Sequence, residues 1–458
     1  MTPSARPIWV GDVELGRSLV PVGVSRPPGP DDAGARLLVR LHRQPLGFVS
    51  VPLIDGDIAP QAIAEAVRAQ LGGPLDRHLE ADGLRGPNAE AGPRGPNAEA
   101  GPRDPNAEAG LDGGQLPGPQ AIGGWERCAH ASANPTRVPM SVVVCTRDRP
   151  EILAGCLERL QHLHHGSFDV TVVDNAPTTG ATRNCFSRMV GDDPRFRYVR
   201  EPVAGLSRAR NRGLAEAGCR YVAFTDDDVQ VDPWWLDGLA AGFGRDDRAG
   251  CVTGLVPAAQ LDHASQQYFD RRYAWAAHLE PRVYDMANGR DTSVLYPYSA
   301  GIFGTGANFA VDRELLEDLG GFDEALGAGS PAGGGEDLDA FVRVLRAGRS
   351  LVYEPSAVVW HVHRPGAAAQ RRQLFYYGVG LTAFLSKYVA DPSTTGEILA
   401  RLPEGARRLR RIWSPPEVAG RAPAPLVTAE ALGMLAGPLA YYRGRRRLKR
   451  SGTARVPT

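Results

Sequence analysis

The sequence has 458 residues, a formal net charge of zero and 43% hydrophobic residues, which is typical of a globular chain and excludes a collagen-like or wholly disordered one. No stretch supplies the ~20 consecutive apolar residues of a transmembrane helix, and the N-terminus lacks a basic and then apolar signal peptide. The six cysteines are scattered without a CxxC pair, so we expect reduced, mostly packing cysteines in a cytoplasmic protein.

Residues 1–82 are predicted to form a small α/β accessory module. The β-prone runs Arg36–Leu41 and Phe48–Leu53 flank the stretch 43–47 and indicate a hairpin. Apolar residues then recur at helical spacing from Pro60 to Leu71. The module has no cluster typical of catalysis, so packing or partner recognition is all that we assign to it.

A low-complexity linker is predicted over residues 83–136. Within Arg85–Gly110 the unit RGPNAEAGP recurs, and Pro87, Pro96 and Pro105 mark its nine-residue period. A repeat so poor in large apolar residues cannot offset the entropy cost of ordering. We therefore expect a disordered, partly extended spacer and not a solenoid.

Strands and helices alternate from Val138 onwards, which predicts a mostly parallel, Rossmann-like sheet with helices on both faces. The apolar run Tyr221–Phe224 is typical of a buried strand, and the acids Asp226, Asp227 and Asp228 follow it. Ligands of open α/β sheets gather at the carboxyl ends of strands. Adjacent carboxylates repel one another unless a cation offsets them, and Mg²⁺ and Mn²⁺ prefer oxygen ligands. The triplet is thus either a divalent-metal site or a solvated acidic turn.

A second acidic cluster opens a predicted helix that runs to about Ala347. Glu336, Asp337 and Asp339 follow a glycine-rich loop, and acids at a helix N-terminus also serve as plain caps. The glycine-rich run 301–310 fits neither the Walker spacing nor the dinucleotide-binding spacing.

Two histidines, His361 and His363, follow the apolar run Val358–Trp360. In a strand they would share one face, whereas in a loop their directions are unconstrained. A structural role for at least one of them is the simpler interpretation.

Five motifs in order resemble those of the family 2 glycosyltransferases, which have the GT-A fold, over roughly Val138–Val389. The motifs are VVVCTRDRP (142–150), VVDN (172–175), GLSRARNRG (205–213), the triplet (226–228) and GEDLD (335–339). The resemblance implies a GT-A type domain over 137–390, followed by a helical, basic C-terminal extension over 391–458.

The resemblance also implies a role for each matching residue. Asp337 is the expected general base for the acceptor hydroxyl, with Glu336 beside it as the second catalytic residue. Asp174 is expected to hold the base or ribose of the nucleotide. The expected metal ligands are Asp228 and Asp226 and, more loosely, His361 and His363. The expected nucleotide-sugar-binding residues are Thr146, Arg147, Asp174, Arg210, Asn211, Asp226, Asp227, Gly306 and Asn308.

By the same resemblance the expected reaction is inverting transfer of a sugar to an acceptor hydroxyl on a glycan, glycolipid or secondary metabolite. The donor is a nucleotide-diphosphate sugar of UDP or dTDP type, the cofactor is Mn²⁺ or Mg²⁺, and no nucleic acid takes part. One alternative is a nucleotidyltransferase-like enzyme, which would carry a glycine-rich phosphate loop where residues 145–150 contain no glycine. The other is a non-catalytic nucleotide-sugar-binding protein, although both acidic clusters are present.

The C-terminal segment is strongly basic. Residues 401–458 contain thirteen Lys or Arg and three acids, and the run Leu426–Tyr442 within them is mostly apolar. One interpretation is a packed helix with a solvated basic tail. The other is an interfacial helix with a polybasic anchor that gives peripheral contact with the inner face of the cell membrane.

Overall fold

The computed structural model describes residues 6–17, 19–83, 128, 138–287, 295–299, 301–413 and 424–451. These residues divide into two compact units. The first unit contains the described residues up to Cys128 together with Ala258–Arg272, and the second contains Val138–Pro257 and the described residues from Tyr273 onwards. Apart from Gly83 and Cys128, the predicted linker lies outside the described residues.

The first unit is a four-stranded sheet with a long helix packed on it. Its elements are β1 (Trp9–Glu14), β2 (Val22–Gly23), β3 (Ala35–Leu41), β4 (Gln44–Val51), α1 (Pro60–Ala81) and most of α6 (Ala264–Tyr273). The strand order is β2-β1-β3-β4, with β1 and β3 parallel and the outer pairs antiparallel. The buried apolar stripe of α1 consists of residues at helical spacing, namely Ile63, Val67, Leu71, Leu75 and Leu79.

The hairpin of this unit is tighter than the sequence suggests. Strand β4 begins at Gln44, so the predicted loop 43–47 is wrong and the connection is a two-residue turn. Its residues His42 and Arg43 have φ values of 52° and 67°, as a type I′ turn requires. Pro45 suggested a loop because proline has no backbone N–H to donate in a sheet. It nevertheless lies in β4, beside a register shift where that N–H is not needed.

Helix α1 extends beyond its predicted end at Leu71, to Ala81, although Pro74 lies inside it. Gly72, Gly73 and Pro74 suggested a break, but Leu75 and Leu79 continue the buried stripe. Tertiary packing of that stripe overrides the weak local helix propensity.

The second unit contains the predicted alternation of strands and helices. Its strands are β5 (Met140–Thr146), β6 (Phe168–Asn175), β7 (Phe196–Glu201), β8 (Tyr221–Asp226), β9 (Val229–Val231), β10 (Ala249–Leu255), β11 (Arg282–Tyr284), β12 (Asn308–Asp312) and β13 (Ser350–His361). Its helices are α2 (Pro150–Gln161), α3 (Ala181–Val190), α4 (Leu206–Glu216), α5 (Trp235–Phe243), α7 (Arg313–Asp318), α8 (Glu336–Arg346), α9 (Ala367–Ala390), α10 (Pro392–Trp413) and α11 (Ala424–Ser451).

The strands of the second unit form one sheet in the order β11-β13-β10-β12-β8-β5-β6-β7, and β9 pairs with β13. Strands β8, β5, β6 and β7 are mutually parallel, as are β10 and β13. Strand β12 runs antiparallel between β8 and β10, where the sequence showed only a glycine-rich run. The predicted α/β class, with a mostly parallel sheet, flanking helices and a helical C-terminal part, is confirmed.

Successive side chains of a strand point to opposite faces of the sheet. Because the central strands are apolar on both faces, helices cover both. In β5, Val142 and Val144 belong to the buried cluster that includes Leu157 of α2. The residue between them, Val143, faces α4, where a Cβ added to Gly213 would lie 2.3 Å from its Cγ1. The central strands are therefore buried on both sides, and polar chemistry is confined to their ends.

The C-terminal helices α9 and α11 pack closely along small residues. A Cβ on Gly433 would lie 2.0 Å from the carbonyl oxygen of Phe375, and one on Gly378 would lie 2.2 Å from that of Glu430. The Thr382 hydroxyl donates to the Met434 carbonyl at 2.7 Å. The predicted packed helix is thus present. In the part of the chain that the structure describes, no helix is both long and apolar enough to cross a membrane.

Candidate active site

The carboxyl ends of three adjacent parallel strands carry candidate residues. Thr146 at the end of β5 lies opposite Asp174 in β6, and Cys145 lies opposite Asp226 in β8. These strands therefore end at one edge of the sheet, where ligands bind in open α/β folds. Thr146 and Asp174 are buried, whereas Asp226 keeps 30% of its side chain exposed. The edge thus combines buried, fixed polar groups with one accessible carboxylate.

Asp227 is the buried member of the acidic triplet. Its Oδ2 accepts hydrogen bonds from the Thr146 hydroxyl at 2.6 Å and from Nε of Arg149 at 3.1 Å. Burial raises the pKa of Asp227 to about 7, although the charge of Arg149 opposes that change. Asp227 therefore fixes the end of β8 to the end of β5, through Thr146, and to the start of α2, through Arg149.

Asp228 points towards the histidines. Its Oδ1 lies 3.9 Å from Nε2 of His361, and its Oδ2 accepts from Nη1 of Arg149 at 3.2 Å. Burial acts to raise the pKa of Asp228, but the charges of Arg149 and Arg364, joined at low pH by that of protonated His361, outweigh it, so the pKa lies below its ordinary value. Asp228 is therefore an ionised carboxylate with 19% of its side chain exposed.

His361 and His363 face each other through their Nδ1 atoms, which are 3.1 Å apart. His361 is the last residue of β13 and pairs with Val229, so β9 brings the triplet beside it. Burial lowers the pKa of both histidines, that of His363 to about 3, so both rings are neutral near pH 7. The sequence left open which ring faces the acids. His361 is the ring that lies near Asp228.

Arg210 joins the two acidic clusters. From α4, its Nη1 donates to Glu336 at 2.9 Å and its Nη2 lies 3.3 Å from Asp226. Nη2 also donates to the carbonyl of Gly306 at 2.8 Å. The guanidinium is 3% exposed, and burial of a cation is tolerated when several acceptors surround it. The end of β8 and the start of α8 are thus held together by one side chain.

The three acids at the start of α8 have different surroundings. Glu336 is buried against Arg210, and burial raises its pKa to about 7. Asp337 is half-buried, and its Oδ2 accepts from the backbone N–H of Gly306 at 2.8 Å. Asp339 is fully buried, and it contacts Nε of Arg343 at 2.9 Å and Lys387 at 2.8 Å. Asp337 is the accessible acid of the cluster.

Asp174 is fully buried, and its two oxygens differ. Oδ2 accepts a hydrogen bond from the Tyr198 hydroxyl at 2.6 Å, whereas Oδ1 makes no hydrogen bond of good geometry with the described residues, although the Thr182 hydroxyl lies close enough to affect the pKa of the carboxyl. Burial raises the pKa of Asp174 above its ordinary value. A buried acceptor without a donor is costly and is typical of a place where a ligand supplies one.

The remaining expected nucleotide-sugar residues are placed as follows. Arg147 is exposed, on the loop after β5. Asn211 bonds the backbone of Phe322 through both polar atoms, at 2.9 and 2.7 Å. Asn308 is fully buried, and it accepts from Trp235 Nε1 and donates to the carbonyls of Leu255 and Ala357. The side-chain contacts of both asparagines hold the fold in this structure, and their contact with a nucleotide stays a prediction.

Gly306 stands between the clusters, where a side chain would not fit. A Cβ added there would lie 2.9 Å from Oδ2 of Asp337 and 3.2 Å from Nη2 of Arg210. The backbone of Gly306 therefore approaches both groups closely, and its N–H and C=O bond one each.

The roles of Arg149 and Tyr198 were not predicted from the sequence. Arg149 lies within a motif that was identified, but its contacts with Asp227 and Asp228 depend on the pairing of β5 with β8. Tyr198 is in β7 and reaches Asp174 because these strands are neighbours. The sequence shows that the strand ends are polar, but this composition does not indicate which polar side chains contact one another.

Residues 141–320 match the family model "Glycosyl transferase family 2". The matched segment contains the acidic triplet, Asp174 and Arg210, and α8 follows it. This segment is a family 2 glycosyltransferase domain. The resemblance stated from the motifs is confirmed, and the acids described above lie either within the matched segment or in α8, which begins 16 residues after its end.

Two groups of curated relatives resemble this chain over part of its length. The "Pre-mycofactocin glycosyltransferase" of Mycobacterium tuberculosis is 27% identical over 233 residues, which is 51% of this chain and 44% of that protein. "Polypeptide N-acetylgalactosaminyltransferase 11" of Xenopus tropicalis is 28% identical over 163 residues, 35% of this chain and 26% of that protein. The chain therefore spans less than half the length of either relative.

Among solved structures, the chain is similar to the mannosyltransferase PcManGT from Pyrobaculum calidifontis, determined in complex with GDP-Man and Mn²⁺. The identity is 19% and the TM-score 0.42, over 70% of this chain and 77% of the other.

Proposed function

We propose that this glycosyltransferase domain transfers a sugar from a nucleotide-diphosphate sugar to an acceptor hydroxyl with inversion. One observation carries the proposal. Asp337 Oδ2 accepts from the N–H of Gly306, the carbonyl of Gly306 accepts from Arg210, and Arg210 reaches Asp226. These hydrogen bonds hold two acidic clusters that are distant in sequence at fixed positions relative to each other. A general base and a leaving-group site require such fixed positions.

Asp337 is the proposed general base. Its carboxylate is half-buried and held by the N–H groups of Gly306 and Leu338, so its orientation is fixed while lone pairs remain for an acceptor. Asp337 takes the proton of the acceptor hydroxyl as that oxygen bonds to the anomeric carbon. The bond from that carbon to the diphosphate oxygen breaks, and the diphosphate leaves with the electron pair. Attack opposite the leaving group inverts the anomeric centre, and the base contributes ~10²–10⁴-fold.

Asp228 and His361 are the proposed ligands of a divalent cation. The residues fit such an ion, because Asp228 is ionised, His361 is neutral and the facing atoms are 3.9 Å apart. Mn²⁺ accepts this oxygen and nitrogen set, and Mg²⁺ accepts the carboxylate. When bound, the ion neutralises the negative charge of the diphosphate leaving group. Arg149, already held by Asp227, provides a second positive charge beside Asp228.

Asp174 is the proposed ligand of the nucleoside. Its Oδ1, which makes no hydrogen bond of good geometry with the described residues, can accept from a ribose hydroxyl or a base N–H, and Tyr198 fixes the other oxygen. A carboxylate accepts but does not donate hydrogen bonds, which suits the imide N–H of a uracil or thymine base. This chemistry is compatible with the expected donor of UDP or dTDP type, which the panel described next tests.

A nucleotide-sugar panel in the presence of Mn²⁺ tests this function without knowledge of the acceptor. Release of nucleoside diphosphate from one sugar nucleotide, abolished by chelation, supports the transferase. Release of pyrophosphate from a sugar phosphate and a nucleoside triphosphate would instead identify a nucleotidyltransferase. Tight donor binding with no release, even when acceptors are added, would identify a binding protein. Pre-mycofactocin and polypeptide acceptors, taken from the relatives' names, belong in the acceptor arm.

Helix α11 supports a further part of the proposal, peripheral contact with an anionic membrane. Four apolar side chains on one face of the helix are more than half exposed, namely Leu432 (55%), Leu435 (79%), Leu439 (51%) and Tyr442 (58%). Their spacing of three and four residues gives a single stripe. The basic side chains that follow the stripe are those of Arg443, Arg445, Arg446, Arg447, Lys449 and Arg450.

An open groove of about 910 Å³ between α9 and α11 continues this surface. Leu432 belongs to both the stripe and the groove, and Arg371 and Arg372 lie in the groove wall. Another wall residue, Tyr376, packs on the loop before α8, where a Cβ on Gly333 would lie 2.4 Å from it. Apolar contacts beside cations suit an anionic amphiphile, at ~1 kcal/mol per basic residue near the surface.

Vesicle co-sedimentation tests the membrane contact. We expect binding to anionic but not neutral vesicles, loss of binding at high salt, and weaker binding for Leu435→Glu. The matched control is Leu399→Glu, since Leu399 is also 50% exposed but lies on α10. Equal binding to both lipid types, or none, would contradict the proposal and leave α11 as a packing helix.

A further inference from the structure

Four side chains of the first unit converge on one point. They are His42, His78, Asp82 and Cys128, and their ligand atoms all lie within 4.8 Å of one another. His42 Nδ1 is 3.0 Å from Asp82 Oδ2 and 3.2 Å from His78 Nε2. His78 Nε2 is 3.3 Å from Asp82 Oδ2 and 3.8 Å from Cys128 Sγ.

The fold holds three of these groups in fixed positions. His42 is in the left-handed region of the β3–β4 turn, and its backbone N–H and that of Arg43 donate to the Glu14 carboxylate at 2.9 Å. His78 and Asp82 are separated by one helical turn at the end of α1 and therefore lie on the same face. The hairpin turn and the end of α1 therefore place these three side chains in fixed positions beside one another.

The cluster is buried. His42, Asp82 and Cys128 are 2%, 8% and 0% exposed, and the side chain of His78 is 9% exposed. Buried polar groups in native proteins normally pair one donor with one acceptor. Four buried ligand atoms that converge in this way need either one common partner, such as a cation, or a hydrogen-bond network in which each proton lies between a donor and an acceptor.

Protons alone satisfy the cluster poorly. A neutral imidazole nitrogen carries either one proton or one lone pair, so each ring nitrogen makes one good hydrogen bond here. His78 Nε2, however, faces a nitrogen, a carboxylate oxygen and a sulfur at the same time. One proton can bridge only one pair of these atoms, and the lone pairs of the others then face one another. A cation at the centre accepts one lone pair from each of the four ligand atoms.

We propose that His42, His78, Asp82 and Cys128 bind one Zn²⁺ ion. Two imidazoles, a thiolate and a carboxylate are the ligand types that zinc takes. Bonds of about 2.0–2.3 Å in a tetrahedron separate neighbouring ligand atoms by about 3.3–3.8 Å. The four short distances in this cluster, 3.0–3.8 Å, lie close to that range. Calcium and magnesium are disfavoured because they require oxygen ligands.

The proposed site is structural and not catalytic. Four protein ligands complete a tetrahedral shell, and their burial leaves no open position for a substrate. The ion joins the β3–β4 turn to the end of α1 and to Cys128, which follows the low-complexity repeat in sequence. Zinc would therefore close a long loop of chain, and the free energy of metal binding would stabilise the first unit.

Metal analysis of the full-length chain is the test. We expect about one tightly held zinc per chain after dialysis, and at least ~10²-fold weaker zinc binding in Cys128→Ser and in His78→Gln. The matched controls are Cys219→Ser and His162→Gln, because Cys219 and His162 lie outside the cluster. Asp228→Ala should keep the zinc, which separates this site from the proposed active-site cation.

Cobalt substitution supplies a second readout that does not depend on stability. Co²⁺ bound by Cys128 should give a sulfur-to-metal charge-transfer band, absent from Cys128→Ser even at saturating Co²⁺, with circular dichroism confirming that the variant is folded. The proposal is overturned if the folded wild-type chain retains no zinc or cobalt against a chelator. It is also overturned if Cys128→Ser binds with unchanged affinity and an unchanged band.

Discussion

Arg210 and Glu336 form a buried ion pair, with Nη1 of the guanidinium 2.9 Å from Oε1 of the carboxylate. The pair connects α4 to the first residue of α8, and the same guanidinium reaches Asp226 at the end of β8. Two parts of the candidate site that are remote in sequence therefore depend on one cation.

Arg210→Lys should lower turnover by ~10-fold or more with a smaller effect on donor affinity. A lysine is a point charge and cannot donate in three fixed directions to Glu336, Asp226 and the Gly306 carbonyl. Removal of the cation in Arg210→Ala should destabilise the domain by about 3–5 kcal/mol, because two acids lose their buried partner. Steady-state kinetics and denaturant unfolding measure the two effects.

Arg212→Lys is the matched control for this prediction, since Arg212 is on the same helix and its side chain is 47% exposed in a pair with Glu216. It should leave both turnover and stability almost unchanged. Wild-type turnover in Arg210→Lys would show that the ion pair does not position the acids.

Turnover should fall as the pH drops below about 7. Burial raises the pKa of Glu336 to about 7 against the opposing charge of Arg210, so acidification neutralises the carboxylate and breaks the pair. The contribution of Glu336 to the free energy of unfolding changes with pH in the opposite direction to turnover. The folded-state pKa exceeds the ordinary 4.5, so this group's contribution to the free energy of unfolding decreases as the pH rises from 4.5 to about 7. Activity lost at pH 6 is therefore not unfolding.

The pH profile of kcat for the wild type and for Glu336→Gln checks this prediction, with thermal melts recorded at the same pH values. Glu336→Gln should lose the part of the acid limb that Glu336 contributes, because a glutamine does not titrate, whereas Asp227, with a pKa also raised to about 7, still titrates in the variant. An unchanged acid limb in that variant would assign the titration to another group.

Asp228→Ala should abolish metal-dependent donor binding while the fold stays intact. Arg149 keeps its contacts with Asp227 in this variant, so the end of β8 remains anchored. Isothermal titration of donor with and without Mn²⁺ gives the measurement, and Asp192→Ala, at an exposed acid, is the control. Metal-dependent binding that persists in Asp228→Ala would place the cation elsewhere.

Much of the sheet was predictable from the sequence. The run Tyr221–Phe224 and the acids after it indicated a buried strand with polar chemistry at its end, and β8 has that form. The alternation of apolar runs with helical stripes likewise predicted β5, β6 and β7 and the helices between them. Local periodicity is enough for such elements because burial on two faces leaves a continuous apolar run.

Partnerships between distant residues were not predictable. Asn308 looked like a residue of a glycine-rich loop, but it lies in β12 and is saturated by Trp235, Leu255 and Ala357. Strand β12 lies between two strands that are distant from it in sequence, and no local pattern encodes that position.

The cluster in the first unit was missed for a related reason. His42, His78, Asp82 and Cys128 are spread over three segments without the short spacing of a zinc motif, and Cys128 follows the repeat. The scattered spacing of the six cysteines indicated mostly packing residues. None of the six, all of them among the described residues, forms a disulfide in the structure, and Cys128 lies beside two histidines.

The most direct test of the account compares Asp337→Asn with Glu336→Gln. Asp337 is half-buried with its carboxylate oriented by Gly306, whereas Glu336 is buried against Arg210, so we expect the base to be Asp337. Asp337→Asn should lower single-turnover sugar transfer by ~10²-fold or more and leave donor and Mn²⁺ affinity near wild type, while Glu336→Gln should be less impaired at pH 8. Normal transfer by Asp337→Asn together with an inactive Glu336→Gln would contradict the account and make Glu336 the base.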